Sequence, residues 1–389
     1  MGAGTEKDHY CQDAGEKFIV WQLQKIAVER GKSISGSYQR EFEDFFEYVK
    51  ERNIEEDFYE TDYCKIYKKN VEPFFDALEE AHPKSSFNFV DVEKEFRDQN
   101  KKGDFVIQFD DGTEEQSVSL KVYRKGYSRP QMCSSTWLSF TSNFFLDKVT
   151  VGVYRRKDGT TYNCRGKNYI QNIHEDLLER GHITPQMREY LDFIEAIGEY
   201  LKTFYVDSDH AEFWHNVESN WKDDCEQYGY KARDLAYNVL NSAPRDIIKN
   251  RVIEMTGLDF KEHVLLLDKK GFLCSLFDKR LQIMAKRITS SDCQLKLRKV
   301  AKNLFVDLAD KHGKIIEVQI PFTLNRNGGW NLPKEEYEGP RFHEREKTDL
   351  HYGQRRPSKS KEIATSINTF LNLKKSLEDA PTEWGEDAV

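Results

Sequence analysis

The N-terminal part of the chain places apolar side chains three and four positions apart, which is the spacing of an amphipathic helix. The stretch 16–30, EKFIVWQLQKIAVER, shows this spacing clearly, and 36–52 and 68–82 repeat it. A histidine and a proline then break the pattern. We therefore predict a helical N-terminal layer over residues 1–85.

The pattern then changes to the short apolar runs of a sheet. FVIQF at 105–109 and SVSLKVY at 117–123 read as strands, and the second alternates apolar and polar residues. The connection at 110–116, DDGTEEQ, contains Asp-Gly, which favours a tight hairpin turn. The sequence therefore predicts an antiparallel hairpin here.

Three further elements are expected around this hairpin. Asn88 is a candidate cap for a short helix over 89–100, and 131–148, QMCSSTWLSFTSNFFLDK, reads as another helix. A second hairpin is expected within 149–166. Together these elements define a predicted core over residues 86–165.

The rest of the chain divides into a helical and a strand-rich part. Residues 166–256 carry long amphipathic runs and are predicted to be helical. Residues 257–376 contain two strand–turn–strand patterns, at 263–277 and 303–325, separated by the basic helical piece 279–288. The predicted fold is mixed α/β (α+β), with helical N-terminal and middle regions and a β-containing C-terminal region.

Composition narrows the class of protein. Hydrophobic residues make up 38% and aromatic residues 13% of the chain, which suffices for a core, so disorder is expected only over 377–389. No apolar run is long enough to span a bilayer, and the N-terminus lacks a secretory signal. The seven scattered cysteines form no CxxC pair, which is typical of a reducing compartment, so we expect a cytoplasmic protein without membrane contact.

Charge is unevenly distributed along the chain. The net charge is −8, and 41–100 is strongly acidic, but 269–302 holds ten Lys or Arg and two acids. This basic segment fits either a cationic groove for DNA or a solvated helix face. Arg355, Arg356 and Lys359 likewise fit either phosphate contacts on double-stranded DNA or a solvated tail.

The first hairpin carries the chemistry of greatest interest. Alternation in 117–123 puts Ser119 and Lys121 on the face opposite the apolar residues, and Asp104 precedes the first strand, next to Gly103. The hairpin therefore brings Asp104 near Lys121. A carboxylate at a strand end suits Mg²⁺, and a nearby lysine suits the charge that develops on a phosphodiester under attack by water.

GDFVIQF followed by VSLKVY resembles the core of the PD-(D/E)xK nucleases, which include type II restriction endonucleases. Asp104 corresponds to the aspartate of the PD element, with Gly103 in place of the proline, and Lys121 corresponds to the lysine. Ser119 stands where that family usually has Asp or Glu. The resemblance implies a restriction-endonuclease-like core and Mg²⁺-dependent hydrolysis of DNA, with Asp104 on the metal and Lys121 orienting the water.

The carboxylate missing at Ser119 has several candidate replacements. They are the backbone carbonyl of Leu120, a water held by Ser119, and a carboxylate from the preceding predicted helix, for which Glu93 is the first choice and Glu95 the second. The predicted helix that follows the lysine strand offers phosphate contacts near its N-terminus. Its candidate residues are Gln131, Ser134 and Ser135.

The resulting hypothesis is a type II restriction endonuclease that cuts double-stranded DNA at specific sites. Such an enzyme is expected to act as a homodimer, because a two-fold protein matches a palindromic site. Two alternatives remain open: a nuclease of repair or phage defence without sequence specificity, and a DNA-binding protein without catalysis. An ordinary hairpin with solvated charges is the simplest alternative for Asp104 and Lys121.

Overall fold

The computed structural model describes residues 6–92, 103–123, 131–135, 137, 153–155, 161–163, 184–201, 210–327, 362–371 and 377. The described helices are α1 (Glu6–Glu29), α2 (Gln39–Glu51), α3 (Glu55–Glu60), α4 (Asp62–Ala81), α5 (Pro185–Leu201), α6 (His210–Ser242), α7 (Arg245–Thr256) and α8 (Lys279–Thr289). The described strands are β1 (Phe87–Asp91), β2 (Phe105–Phe109), β3 (Gln116–Tyr123), β4 (Gln131–Ser135), β5 (Val153–Arg155), β6 (Thr161–Asn163), β7 (His263–Asp268), β8 (Phe272–Cys274), β9 (Gln294–Val300), β10 (Asn303–Asp310), β11 (Gly313–Asn327) and β12 (Glu362–Leu371).

These elements confirm a mixed α/β fold and fall into two compact units. The first unit joins Met1–Pro130, Gly257–Ile288 and Leu373–Val389, and the second joins Gln131–Thr256 and Thr289–Asn372. Each unit therefore joins segments that are distant in sequence, whereas the predicted regions are continuous stretches of the chain.

Helices α1 to α4 supply the apolar layer of the first unit, as the N-terminal pattern predicts. Phe18 of α1 lies at the centre, with ring centroids 5.4 Å from both Phe45 and Phe58. The hydroxyl of Thr61 accepts a hydrogen bond from the backbone N–H of Cys64 at 3.1 Å, which caps the start of α4. Full burial of such aromatic side chains stabilises the fold by about 1.5–3 kcal/mol each.

The sheet of the first unit has the order β1-β2-β3-β7-β8. Neighbouring strands are antiparallel except β3 and β7, which are parallel. Val118 and Leu120 of β3 are buried, whereas Ser119 and Lys121 are only partly buried. The predicted hairpin of β2 and β3 is therefore confirmed, and β3 sits in the middle of the sheet.

The short helix predicted over 89–100 is wrong at its start, because β1 is a strand there. Asn88 lies inside β1 and donates from its side chain to Gln108 at 2.8 Å, so it caps no helix. Phe87 and Phe89 are both fully buried, and β1 pairs residue by residue with β2. The period-two pattern of these phenylalanines and the available partner strand outweigh the helical signal.

The second unit contains helices α5 to α7 and a sheet of order β4-β12-β11-β10-β9. Strands β10 and β11 form the hairpin expected at 303–325, and β5 pairs with β6 as expected within 149–166. In the first unit, β7 and β8 likewise form the hairpin expected at 263–277. Within the described residues, α5 to α7 and these strands confirm the predicted helical middle region and β-containing C-terminal region.

The helix predicted over 131–148 is wrong where it begins. Gln131–Ser135 forms strand β4, which pairs antiparallel with β12. Strand β12 in turn lies near the far end of the given sequence. Strand pairing across such a distance overrides local propensity, which reports only on sequence neighbours. Disorder over 377–389 concerns residues outside the described part of the chain, apart from Leu377.

Within the described residues, no helix combines the length and the apolar character that a membrane crossing requires.

Candidate functional site

The backbone holds Asp104 firmly at the entrance to β2. Its N–H donates to the carbonyl of Val118 at 2.8 Å, and its own carbonyl accepts from the N–H of Val92 at 3.3 Å. Gly103 has a φ of +103°, and a Cβ there would meet the Val118 carbonyl at 3.1 Å and crowd the hydroxyl of Ser117. A glycine is therefore required just before Asp104, where the PD pattern has proline, since proline fixes φ near −65°.

The hairpin places Asp104 and Lys121 in one place. The Lys121 Nζ lies 3.9 Å from the Asp104 Oδ2, and both side chains are about a quarter exposed. The same Oδ2 accepts a hydrogen bond from the backbone N–H of Leu120. The two side chains that matter most in the sequence pattern are thus neighbours at the sheet surface.

Ser119 and Leu120 are both engaged by Lys121. The ammonium group donates to the Ser119 Oγ at 2.8 Å and to the Leu120 carbonyl at 3.2 Å. The carbonyl proposed as a metal ligand therefore already accepts a hydrogen bond in this conformation. Glu93 and Glu95, the other candidates for the missing carboxylate, lie outside the described residues.

Helix α1 contributes a second wall next to Asp104. An open recess of about 300 Å³ is formed there, which we call the acidic recess. Lys17 forms an ion pair with Asp91 across it, with 3.0 Å between Nζ and Oδ2. Its lining residues are Asp13, Glu16, Lys17, Asp91, Gly103 and Asp104. Four carboxyl groups thus share one small space with Lys17 and the adjoining Lys121.

The crowding of carboxyl groups changes the pKa of Glu16. Burial, together with the negative charges of Asp104, Asp13 and Asp91, raises the pKa of Glu16 from 4.5 to about 8 against the opposing effect of Lys121. Glu16 therefore keeps its proton at neutral pH, unlike an ordinary surface glutamate.

The sequence interpretation missed Glu16. One signal was available: Gly15 precedes it inside a helix, where glycine is unfavourable. A Cβ at Gly15 would overlap the ring of Tyr67, so the glycine lets α1 lie directly against that buried tyrosine. That close packing sets Glu16 beside the start of β2.

The acidic recess suits a hard cation by its donor chemistry, because carboxylate oxygens are the ligands that Mg²⁺ prefers. The ligand shell itself is not assembled: among the described residues, no three His, Cys, Asp or Glu side chains converge as a metal site. Asp104, Glu16 and Asp91 are three of the four carboxyl groups that line the recess, and Asp13 is the fourth. They are the residues that would hold such a cation.

The predicted phosphate contacts at 131–135 are not at a helix N-terminus. Gln131, Ser134 and Ser135 belong to β4 and pair with β12, so the free N–H groups that a helix start would offer to an anion are not present at these positions. The expected helix start is therefore wrong, whereas phosphate contact by these three residues stays a prediction. Arg355, Arg356 and Lys359 lie outside the described residues.

The basic segment 269–302 is divided between the two units. Its first part belongs to the first unit and its last part to the second. Several of its basic side chains pair with carboxylates: Lys269 with Asp62, Arg280 with Asp278, Lys299 with Asp234, and Arg298 with Asp307 and Glu317. These pairs reduce the positive charge available for a DNA groove.

Comparison with known proteins adds no family to this picture. No family model, no curated protein and no solved structure matches the chain. The functional conclusion therefore depends on the hairpin and the acidic recess alone.

Proposed function

We propose that the chain is a Mg²⁺-dependent endodeoxyribonuclease of the PD-(D/E)xK type. The observation that carries the proposal is the hairpin pair, in which the Lys121 Nζ lies 3.9 Å from the Asp104 Oδ2. The acidic recess beside it adds further carboxyl groups, of which Glu16 carries a proton at neutral pH. Perturbed carboxyl groups in a cleft are typical of catalytic sites.

Each residue has a distinct role in the proposed reaction. Asp104 and Asp91 would supply carboxylate oxygens to a bound Mg²⁺, and Glu16 would join them on releasing its proton. Bound Mg²⁺ lowers the pKa of a coordinated water and polarises the phosphodiester. Lys121 donates hydrogen bonds that orient the attacking water and offset the charge developing on the phosphate oxygens.

The balance of charge in the recess supports a cation-dependent reaction. Four carboxyl groups and two lysines leave an excess of negative charge even with Glu16 protonated. Such a surface repels a bare DNA phosphate and attracts a divalent cation. The simplest alternative, an ordinary hairpin with solvated charges, does not account for the carboxyl groups that α1 places beside Asp104.

Site-specific cleavage of double-stranded DNA by a cytoplasmic homodimer is the specific form of this proposal. It follows from the resemblance to type II restriction endonucleases. A nuclease of repair or phage defence would use the same residues without fixed sequence specificity.

One observation favours a second candidate function, a DNA-binding protein without catalysis. Ser119 occupies the position of a usual carboxylate, and no converged metal site is present among the described residues. Such a protein would bind DNA with a steep dependence on salt concentration and cut nothing.

The test is incubation of the purified protein with plasmid and phage DNA in Mg²⁺, beside an EDTA control and the Lys121→Ala variant. We expect discrete fragments from the wild type and a loss of about 10²–10⁴-fold in rate from Lys121→Ala. The matched control is Lys314→Ala, because Lys314 is a lysine of the second unit whose partners are Asp307 and Glu317.

The outcomes separate the candidates. Discrete bands that disappear with EDTA and with Lys121→Ala, but persist with Lys314→Ala, support a site-specific nuclease. A smear supports a nuclease without sequence specificity. Intact DNA across a range of salt and of Mg²⁺ or Mn²⁺ concentrations contradicts the enzyme, and binding in a gel-shift assay then favours the second candidate.

A further inference from the structure

We infer that Ser119 is a positioning residue whose hydroxyl bridges Lys121 and Asp104 and sets the direction of the lysine ammonium group. The inference assigns Ser119 a role other than metal ligation. It rests on the proposed function for its catalytic meaning, but the bridge itself is a property of the folded chain.

The three groups form a short hydrogen-bonded chain. The Lys121 Nζ lies 2.8 Å from the Ser119 Oγ, and that oxygen lies 3.4 Å from the Asp104 Oδ2. The direct separation of the lysine nitrogen and the aspartate oxygen is longer, at 3.9 Å. The hydroxyl therefore connects two charges that do not themselves form a close hydrogen bond.

The direction of each hydrogen bond is fixed by chemistry. An ammonium group only donates and an ionised carboxylate only accepts, whereas a hydroxyl does both. Ser119 must therefore accept from Lys121 and donate to Asp104. A hydrogen bond with a charged partner on each side is stronger than one between neutral groups, so the bridge favours a single orientation of Lys121.

A carboxylate at position 119 would not make the same bridge. It accepts hydrogen bonds but donates none, so it would hold Lys121 and repel Asp104. It would also add another negative charge beside a recess where Glu16 is already protonated. With Asp91 and Glu16 supplying carboxyl groups from β1 and α1, a neutral hydroxyl between the catalytic pair is the arrangement that fits the local charge.

The bridge is tested by chemical acetylation of lysines, followed by mass spectrometry of the peptides. This measurement does not depend on cleavage of DNA. The measured quantity is the acetylation rate of Lys121 divided by that of Lys17, whose own partner is Asp91. Ser119→Ala is expected to raise this ratio about 3-fold or more, because the ammonium group keeps the Leu120 carbonyl as an acceptor but loses its shorter hydrogen bond to the Ser119 hydroxyl. Ser119→Thr keeps the hydroxyl and is expected to restore the wild-type ratio.

The catalytic consequence is tested by steady-state cleavage of DNA. Ser119→Ala is expected to lower kcat about 10-fold with KM for DNA nearly unchanged, since the hydroxyl acts through Lys121 and touches no substrate. Ser119→Thr is expected to recover most of the rate. Ser119→Asp is expected to lower the rate, although it restores the residue type usual in the family.

The outcomes distinguish this inference from the proposed function. If the wild type cuts no DNA, the proposed function fails, and the acetylation ratio still decides whether the bridge exists. An unchanged ratio in Ser119→Ala overturns the inference even in an active enzyme. So does a gain of activity in Ser119→Asp, which would assign position 119 to the metal, or a Ser119→Thr variant as impaired as Ser119→Ala.

Discussion

Two clusters of charged side chains, one in each unit, differ in their balance of charge. The acidic recess of the first unit gathers four carboxyl groups around two lysines. The ion-pair network of the second unit matches its charges one for one, on adjacent strands of the sheet. That network consists of Arg298, Asp307, Lys314 and Glu317.

The carboxyl groups respond in opposite directions. In the recess, burial and like charges raise the pKa of Glu16 to about 8. In the network, burial alone would raise the pKa of Asp307 and Glu317, but hydrogen bonds from Arg298 and Lys314 lower both below their ordinary values. The network compensates itself, whereas the recess leaves negative charge uncompensated. Under the proposed function, a bound cation would compensate this negative charge, whereas the network needs none.

The largest expected difference between the two clusters is in catalysis. Asp104→Asn is expected to lower the rate of DNA cleavage about 10³-fold, because a neutral amide is a poor ligand for Mg²⁺. Asp307→Asn, the same change in the ion-pair network, is expected to leave the rate per folded molecule unchanged. Cleavage assays of both variants check this, and equal losses would show that the recess has no special role.

For stability, we expect the larger effect in the ion-pair network. Asp307→Asn removes one of the two carboxylates that Arg298 and Lys314 share, the other being Glu317, and we expect the free energy of unfolding to fall by about 1–2 kcal/mol because these pairs are partly exposed. Denaturant unfolding at pH 7 measures it. Because the pKa of Asp307 is lowered in the fold, the wild type should lose the same contribution as acid protonates this group, below the ordinary aspartate pKa of 3.8. An acid-insensitive wild type would contradict the pairing.

Raising the pH should weaken the first unit through Glu16. Its pKa rises from 4.5 to about 8 on folding, so the folded chain holds the proton more tightly, and that contribution is lost as the pH rises through this interval. We expect a loss of about 2 kcal/mol between pH 5 and pH 9, after allowance for partial exposure. Glu16→Gln should flatten the curve, and an equal slope in the variant would contradict the assignment.

The smallest expected difference concerns the backbone beside each cluster. Gly103 and Gly313 both have positive φ, at +103° and +113°, but only a Cβ at Gly103 would meet neighbouring atoms. Gly103→Ala should therefore destabilise the fold by about 1 kcal/mol more than Gly313→Ala, whose cost is backbone strain alone. Thermal unfolding of both variants compares them, and equal losses would show that the contacts of Gly103 relax without cost.

Local sequence information predicts the hairpin well and the recess poorly. Strand alternation and an Asp-Gly turn suffice to bring Asp104 near Lys121, because both lie in one short antiparallel unit. Glu16 reaches the same place through the packing of α1 on the sheet. That contact depends on Gly15 and Tyr67, which no local pattern connects with the hairpin.

The same reasoning explains the error at β4. Its five residues read as the start of a helix by local pattern, and only the pairing with β12, far along the chain, makes them a strand. The error at β1 is similar, since its partner β2 decides its conformation. Secondary structure is thus predicted least well from sequence where a partner strand, which a local pattern does not contain, decides the conformation.

The parallel pairing of β3 with β7 has a consequence for biosynthesis. These adjacent strands are separated in the chain by Gln131–Thr256, a segment that belongs to the other unit. A ribosome therefore makes the strand that carries Lys121 long before the strand that completes its sheet. Until β7 emerges, β3 is an open sheet edge in the nascent chain, a ready template for wrong pairing.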